Sequence, residues 1–579
     1  MLLPIVASLV AGTRLQPGEP SQNQPGLYGL TWAWYFCQGW NASVVSTFRA
    51  LSASSGRFPG GTGASFWDWG GGKLLNTTQV ASCVVDRGFA ANCSSVHDCS
   101  AACCCDCGRQ PLCDGAASAG APLSAEAVRR EVYEPAGVGQ MVWQPNLFFD
   151  WRNQSLSWLG PAMQSAGGPL RLVELGNEHY LDANALMMPT AADYVRLAAP
   201  TARGVQAARG RVGLTAEPVG PLEGPEQAAW LLREDPRRRQ WNLNMSLAAG
   251  AAGLVADAWV IHSYRLSGAA LNGSTDPADW PSAAMLYAEA SLLNAREYVD
   301  ALAGPATEIW LTEYGVSAPC MPWPDCPIGP GESHAKNVWF RDAVYSPVHA
   351  FGLLGNLLHA LSTPAARVTA ANVHSVFGAF YTARGMVQVL RGAGPAGADA
   401  LNVSVLAQVY AHAFAVARRA TAVRTFAPVG LAPRLALNFS VAGRRNFSAV
   451  TAVGFGRGEP VLPLLPAPTP LPAPLPVRED VLLLNRGGTP LELQLDVRAP
   501  GLHYRVAAYA SDAPATIAGF ATIDPARPPA LPWPGPMPVR LSAAVSEAAV
   551  GEGHGGAAVL RLTLAPLSLL VVEEQDGTP

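Results

Sequence analysis

Between residues 27 and about 420, short apolar runs alternate with stretches of helical periodicity. The runs Tyr28–Phe36, Arg57–Phe66, Met141–Phe149, Leu170–Leu175, Val212–Glu217, Ala258–Tyr264, Glu308–Glu313 and Val368–Val376 read as strands. Ala191–Arg209, Ser282–Ala303, Ser333–Leu361 and Ser404–Arg419 read as helices, the first broken at Pro200. Repeated βα units build a parallel sheet. Eight strands is the number that closes a (β/α)8 TIM barrel, so residues 27–420 are predicted to form one.

Past residue 420 the helical pattern stops. Strand-like runs at Val423–Pro428, Phe447–Phe455, Asp480–Asn485, Leu491–Val497, Tyr504–Ala510, Val539–Ala544 and Val559–Val572 are punctuated by Gly, Pro and Asn. That pattern predicts a C-terminal antiparallel β-sandwich over 421–579. Within it, Pro460–Pro476 carries too many prolines to join a sheet and reads as an extended loop. Residues 1–26 form an N-terminal segment. Apolar Met1–Gly12 lacks a basic start, so it reads either as a short signal or as part of a first strand of the sandwich.

Two of the barrel runs carry candidate chemistry. Leu172-Val173-Glu174-Leu175-Gly176-Asn177-Glu178 and Ile309-Trp310-Leu311-Thr312-Glu313-Tyr314-Gly315 each end an apolar strand with a carboxylate. Catalytic groups of such barrels sit at the C-terminal ends of the strands. A pair of carboxylates there is the minimum equipment for cleaving a glycosidic bond. Glu217-Pro218 ends the fifth run in a similar way and competes for the acid role, whereas Glu174 and Glu308 read as strand-flanking or pairing residues. His262 either lines the pocket or is a satisfied rim histidine, and His374 is the weaker candidate. Arg57 either steers the ionisation of a carboxylate or supports its strand. Gly60-Gly61-Thr62-Gly63 lacks the Lys-Ser/Thr of a phosphate loop, so it reads as a close backbone approach to a sugar. Phe66, Trp67 and Trp69 nearby are either stacking faces or core.

At these residues the sequence resembles clan A glycoside hydrolases, and within them family 79, the heparanase and β-glucuronidase group. The likeness rests on Glu174-Leu175-Gly176-Asn177-Glu178, Trp310-Leu311-Thr312-Glu313, Arg57-Phe58-Pro59-Gly60-Gly61-Thr62 and His262-Ser263-Tyr264. It implies that Glu178 is the acid/base and Glu313 the nucleophile of a retaining glycosidase. The two carboxyls are then expected about 5–5.5 Å apart. It also implies that Asn177 bonds the sugar 2-hydroxyl and that Tyr264 orients Glu313. Arg57, Gly61, Thr62, Trp67 and His262 complete the expected substrate site. The acid must hold a proton when it acts, which calls for a partly desolvated setting. The expected substrate is a polysaccharide or proteoglycan glycan, with β-glucuronides among the candidates and no metal or cofactor. Transglycosylation by the same pair and a non-catalytic carbohydrate-binding wall protein are the alternatives.

Composition narrows the setting. The 579 residues are 49% hydrophobic and carry a net charge of -4, with lysines only at Lys73 and Lys336, so nothing points to nucleic acid. No lysine cluster accompanies the motifs, as a polyanion-cleaving cleft would suggest. Nine of nineteen asparagines lie in sequons: Asn41, Asn76, Asn92, Asn153, Asn244, Asn272, Asn402, Asn438 and Asn446. Eight of eleven cysteines crowd between Cys83 and Cys113, a density that suits a disulfide-stapled insertion better than a zinc site built with His97. Cys320 and Cys326 are expected to close a loop of their own, leaving Cys37 free or bridged to the cluster. No membrane span is predicted. These features predict a secreted glycoprotein, extracellular or in the lumen of the secretory, lysosomal or vacuolar pathway.

Overall fold

The computed structural model describes residues 13–31, 42–74, 125–148, 172–218, 236–265, 280–316, 347–376, 387–390, 400–429, 434–458, 478–497, 502–510, 521–523, 542–552 and 558–575, without positions 62–63, 66, 70–71, 182–183, 186, 375 and 440–442. Thr62, Phe66, the cysteine-rich insertion, Cys37, Cys320, Cys326, Met1–Gly12 and the proline-rich loop lie outside these residues, as does the side chain of Tyr264.

Eight parallel strands close a barrel in chain order: β1 (Gly29–Thr31), β2 (Ser55–Phe58), β3 (Gln140–Trp143), β4 (Leu172–Leu175), β5 (Arg211–Thr215), β6 (Ala258–Arg265), β7 (Glu308–Val316) and β8 (Val368–His374). Each predicted strand is present, usually shorter than its apolar run. The runs are continuous because barrel strands are buried on both faces, as in β4, where all four residues are buried. Side chains alternate between the two faces. Val142, Leu172, Ala258, Val260, Trp310 and Ala370 form a compact apolar plug inside the barrel. Two residues further along the same strands stand Gln144, Glu174, His262, Thr312 and Asn372, all buried. The barrel interior therefore has an apolar floor and a polar layer above it, at the C-terminal ends of the strands.

Helices α1 (Ala42–Ala50), α2 (Ala191–Ala207), α3 (Pro236–Ala251), α4 (Trp280–Ala303), α5 (Pro347–Ser362) and α6 (Val405–Arg418) accompany the strands. The expected break at Pro200 does not occur, and α2 runs through it. Pro200 lies on the exposed face, where the carbonyl it leaves without an amide partner can take water. The N-caps are legible, with Thr190 accepting from Asp193 N (3.1 Å) and Ser404 from Ala407 N (3.2 Å).

The second unit is a β-sandwich. Val559–Val572, read as one strand, is two, Ala558–Leu564 and Ser568–Glu574, parted by Leu567 at φ 48°. Phe447–Phe455 likewise divides between Gly443–Ser448 and Val450–Arg457. Thr13–Pro17 joins the sheet antiparallel to Ala422–Pro428 and parallel to Leu491–Val497, so the sandwich contains one parallel pairing among its described residues. In Arg478–Asn485, Val481 and Leu483 enter the sandwich core, whereas Leu482 and Leu484 join the core shared with the barrel helices. Leu569 and Val571 alternate with Leu570 and Val572 in the same way. The sheet is thus covered on both faces, which explains its apolar runs. Polar clasps reinforce the junction: Arg486 of the sandwich pairs with Glu289 of α4, and His412 of α6 lies 2.7 Å from the Tyr509 hydroxyl and 3.3 Å from Glu573.

Gly213 of β5 faces the plug. A Cβ there would stand 2.6 Å from Val260 Cγ2 and 2.7 Å from Trp310 Cε3. Gly213→Ala is expected to destabilise the protein by about 1–3 kcal/mol in urea unfolding. Combined with Trp310→Leu, its cost should fall well below the sum of the single changes. Simple additivity would show that the two side chains do not share this space.

Candidate active site

The polar layer is organised by Arg57, which is fully buried at the end of β2. Its Nε and Nη2 donate to the two oxygens of Glu174 (2.7 and 2.5 Å), and its Nη1 donates to Glu313 Oε1 (2.5 Å). Nη2 also reaches Asn177 Oδ1 at 3.0 Å. Burial works against the guanidinium charge, but the two carboxylates more than offset it and raise its pKa. Burial likewise pushes Glu174 up, and Arg57 together with His262 reverses this, holding Glu174 below the ordinary carboxylate range. Glu174 is therefore a fixed anion within the layer. It is the pairing residue that the sequence suggested, and it lies inside the site.

The end of β4 makes a tight turn. Gly176 adopts φ 85°, and a Cβ on it would fall 2.0 Å from His179 Nε2. Glu178 itself has φ 46°, an uncommon conformation for a residue with a side chain. Tyr194 of α2 donates from its hydroxyl to Leu175 O (2.7 Å), and Thr215 donates to the same carbonyl (3.2 Å). Asn184 Nδ2 holds the Glu178 carbonyl at 2.8 Å. Gln144 donates to Glu174 (3.0 Å), Gly176 O (2.9 Å) and Asn177 Oδ1 (3.0 Å). With Arg57 and Gln144 both on its Oδ1, Asn177 has its amide orientation fixed.

His262 joins the two candidate carboxylates. A register shift in β6 between Val260 and His262 sets His262 opposite Glu313 of β7. Its Nδ1 lies 3.0 Å from Glu178 Oε1 and 3.7 Å from Glu313 Oε2, and its Nε2 lies 3.4 Å from Glu174 Oε1. Burial lowers the imidazole pKa, but Glu313, Glu174 and Glu178 together push it up to about 10. The nearest atoms of Glu178, His262 and Glu313 lie within 4.8 Å of one another. Tyr180 donates to Glu178 Oε1 at 3.2 Å, and His374 Nδ1 lies 3.7 Å from Glu313 Oε2. Glu313 is 2% exposed, while the Glu178 side chain keeps 17% of its surface.

The structure thus brings Arg57, Asn177, Glu178, His262 and Glu313 together, with Gln144 and Glu174 bonded among them. Gly61 follows on the β2 loop with φ 62°, a conformation that favours glycine, and the backbone of Tyr264 pairs with Gly315 beyond the Glu313 position. Trp67 corrects the stacking expectation. It is 1% exposed and packs edge-on against Phe58 (5.2 Å), beside Trp69 and Trp143. Its neighbour Trp69, 2% exposed, is core as well. Glu217, the rival acid, is committed to an ion pair with Arg238. Glu308 pairs with Arg211 (2.7 Å) at the opposite, N-terminal end of β7. Gln144 and His179 escaped the sequence reading. Gln144 lay within reach of it, because it stands two residues past Val142 and so faces inward.

A parallel (β/α)8 barrel followed by a β-sandwich is an architecture found among solved glycoside hydrolases. The fold is similar to that of a family 51 α-L-arabinofuranosidase from Bifidobacterium longum, with a TM-score of 0.58 and 14% identity over 97% of this chain and 99% of that one. An α-L-arabinofuranosidase from Thermotoga maritima gives 0.57 and 13% over 97% and 100%. A 4-O-α-L-rhamnosyl-β-D-glucuronidase from Fusarium oxysporum gives 0.52 and 12% over 97% and 100%. No family model matches the sequence, and no curated protein matches it.

His179 yields a pH prediction. It is fully buried against Phe148 (4.6 Å between ring centroids), and neither ring nitrogen has a hydrogen-bond partner among the described residues. Burial, aided by the charge of Arg237, pushes its pKa down to about 3. The unfolded chain takes up a proton near pH 6.5 that the folded chain refuses, so stability is lost as pH falls below 6.5. Between pH 6.5 and 5 this loss is about 1.5 kcal/mol. His179→Leu should remove that much of the wild-type pH dependence in urea titrations at the two pH values. Identical pH dependence in both proteins would show that His179 is not held neutral.

Proposed function

We propose that the protein is a retaining β-glycosidase in which Glu178 is the acid/base and Glu313 the nucleophile. The observation that carries this reading is the approach of the two carboxylates to within 4.8 Å across one imidazole, at the C-terminal end of the barrel. An inverting enzyme needs roughly 6.5–9.5 Å between carboxyls to seat a water, whereas a retaining pair stands closer.

Glu313 is built to attack. Arg57 holds Oε1, and Oε2 bonds the anomeric carbon as the glycosidic C–O bond breaks. Glu178 gives its proton to the departing oxygen, and the anion so formed meets the N–H of His262 and the O–H of Tyr180. In the second half Glu178 takes a proton from water, whose oxygen displaces Glu313 from the anomeric carbon. Asn177 offers its amide N–H to the 2-hydroxyl. The same glycosyl-enzyme passed to a sugar hydroxyl would give transglycosylation.

The substrate reading is a glycan of polysaccharide or proteoglycan type. The family 79 resemblance of the motifs around Arg57, Glu178 and Glu313 puts aryl β-D-glucuronides first in a substrate panel. Aryl α-L-arabinofuranosides follow, as substrates of the kind that solved fold neighbours act on. Exposed Asn244 on α3 and Asn446, both in sequons, support passage through the secretory pathway.

In that panel the wild type should release chromophore from at least one glycoside. Glu178→Ala should lose about 10²–10⁴-fold on a leaving group that needs a proton, and Glu313→Ala should be inert. Nuclear magnetic resonance of the first-formed sugar should show retained anomeric configuration. Turnover by Glu313→Ala at the wild-type rate, or an inverted product, would overturn the mechanism. A wild type inert on the whole panel would move the balance to a carbohydrate-binding role.

A further inference from the structure

Arg237 opens α3, the helix that follows β5, yet its guanidinium serves the turn that follows β4. Nη1 donates to the carbonyls of Tyr180 (2.6 Å) and Leu181 (3.0 Å), and Nη2 to those of His179 and Met188 (both 2.5 Å). Nε is shared between Met188 O (3.2 Å) and Pro189 O (3.0 Å). The guanidinium carbon sits 4.9 Å from the centre of the Trp241 ring. Trp241 is fully buried and donates to Thr215 O at 3.3 Å, so the face supporting the arginine is fixed to β5. A planar fork thus ties together two stretches of backbone, 179–181 and 188–189. A lysine has no geometry to reproduce that.

The clamped segment begins one residue after Glu178, and Glu178 is the residue that most needs holding. Its left-handed backbone at φ 46° is uncommon for a residue with a side chain, and it persists only where the surroundings dictate it. Arg237 reaches Glu178 by two routes. Along the chain it fixes the carbonyl of His179, the next residue. Through Tyr180, whose carbonyl it also holds, it sets the hydroxyl that bonds Glu178 Oε1. Arg238 adds to the second route, since its guanidinium lies 5.8 Å from the Tyr180 ring centre while paired with Glu217.

We propose that Arg237 is a positioning residue for the acid/base: it splints the turn after β4 so that the Glu178 carboxyl stays aimed at the leaving oxygen. The proposal rests on the acid/base assignment of Glu178 made above. Its consequence is selective. A misaimed acid slows the departure of a leaving group that must be protonated. It does not slow a leaving group that departs as a stable anion, because Arg57, Glu313 and Asn177 are held from below by other contacts.

The test compares phenyl and 2,4-dinitrophenyl glycosides of the sugar turned over in the panel, using full-length wild type, Arg237→Met, Arg237→Lys and Glu178→Ala. Arg237→Met should lose about 10²-fold in kcat/KM on the phenyl glycoside, the scale of a small misplacement of a reacting group. On the dinitrophenyl glycoside it should lose less than about 3-fold. Arg237→Lys should recover little of the phenyl rate, because the fork and not the charge does the holding. Equal losses on both leaving groups, or no loss on either, overturn the proposal. So does full recovery by Arg237→Lys. If Arg237→Met does not fold, Arg237→Lys is read by the same ratio, and a ratio equal to wild type counts against the idea. Glu178→Ala separates the two readings. If it shows no leaving-group selectivity, the acid/base assignment fails; if it shows selectivity and the Arg237 variants do not, only the splint fails.

Discussion

The site depends on one buried guanidinium. Arg57 stands on β2, yet it bonds carboxylates on β4 and β7 and the Asn177 amide at the end of β4. A fork with five fixed donors can satisfy such a set in one plane, and a carboxylate pair buried this deeply requires it. Taking away one partner of a buried ion pair typically costs about 3–5 kcal/mol, because the charge left behind has no water to turn to. The arrangement is therefore stiff. Glu313 cannot swing away without giving up its bond to Arg57 Nη1, while Nε and Nη2 hold the guanidinium to Glu174.

That stiffness has its origin in the alternation of side chains along the strands. The apolar plug of Val142, Leu172, Ala258, Val260, Trp310 and Ala370 closes the barrel from below and keeps water out. Two residues further along, the same inward direction is taken by polar residues. Of these, Gln144, Glu174 and His262 bond with Arg57, Asn177 and Glu178 and with the Gly176 carbonyl. Low polarity beneath strengthens every interaction in the layer above. Gly213 and Trp310 belong to the same logic, since the glycine makes room for the indole that fills the floor.

Much of this was legible in the chain. Barrel strands are buried on both faces, so they appear as apolar runs, and all eight were visible by that mark. The sandwich sheet facing the barrel helices obeys the same rule, which is why Ser568–Glu574 merged with Ala558–Leu564 in a reading that tracks apolarity alone. The pairing of Thr13–Pro17 was less visible, because a short strand taken into a sheet from 400 residues away leaves little local signature. Glu174, Glu178, Glu217 and Glu308 look alike in sequence. What separates them is the cation each one meets, Arg57, His262, Arg238 and Arg211 in turn, and those partners are set by tertiary packing. Trp67 and Trp69 were ambiguous for a related reason, since an indole near a glycine-rich loop suits a sugar or a core equally well. Their edge-on packing with Phe58 and Trp143 makes them core.

The distribution of charge bears on the acid/base role proposed for Glu178 within so closed a layer. Arg57 and His262 face three carboxyls, and Arg57 is taken up by Glu174 and Glu313. His262, pushed up to about 10, keeps its proton through the pH range where proteins work and presents it at 3.0 Å from Glu178. A general acid that gives up its proton in a buried site creates an anion, and the barrier includes the cost of accommodating it. Here the accommodating dipoles are in place beforehand, with His262 on one side and the Tyr180 hydroxyl on the other. Both are anchored, because β6 carries one and the turn after β4, held by Arg237, carries the other. Glu178 retains 17% of its side-chain surface, against 3% for Glu313 and 0% for Glu174, so of these three carboxyls it suits the proposed contact with a leaving group and water. Preorganised donors behind it and an open face in front are what one carboxyl needs to act first as acid and then as base.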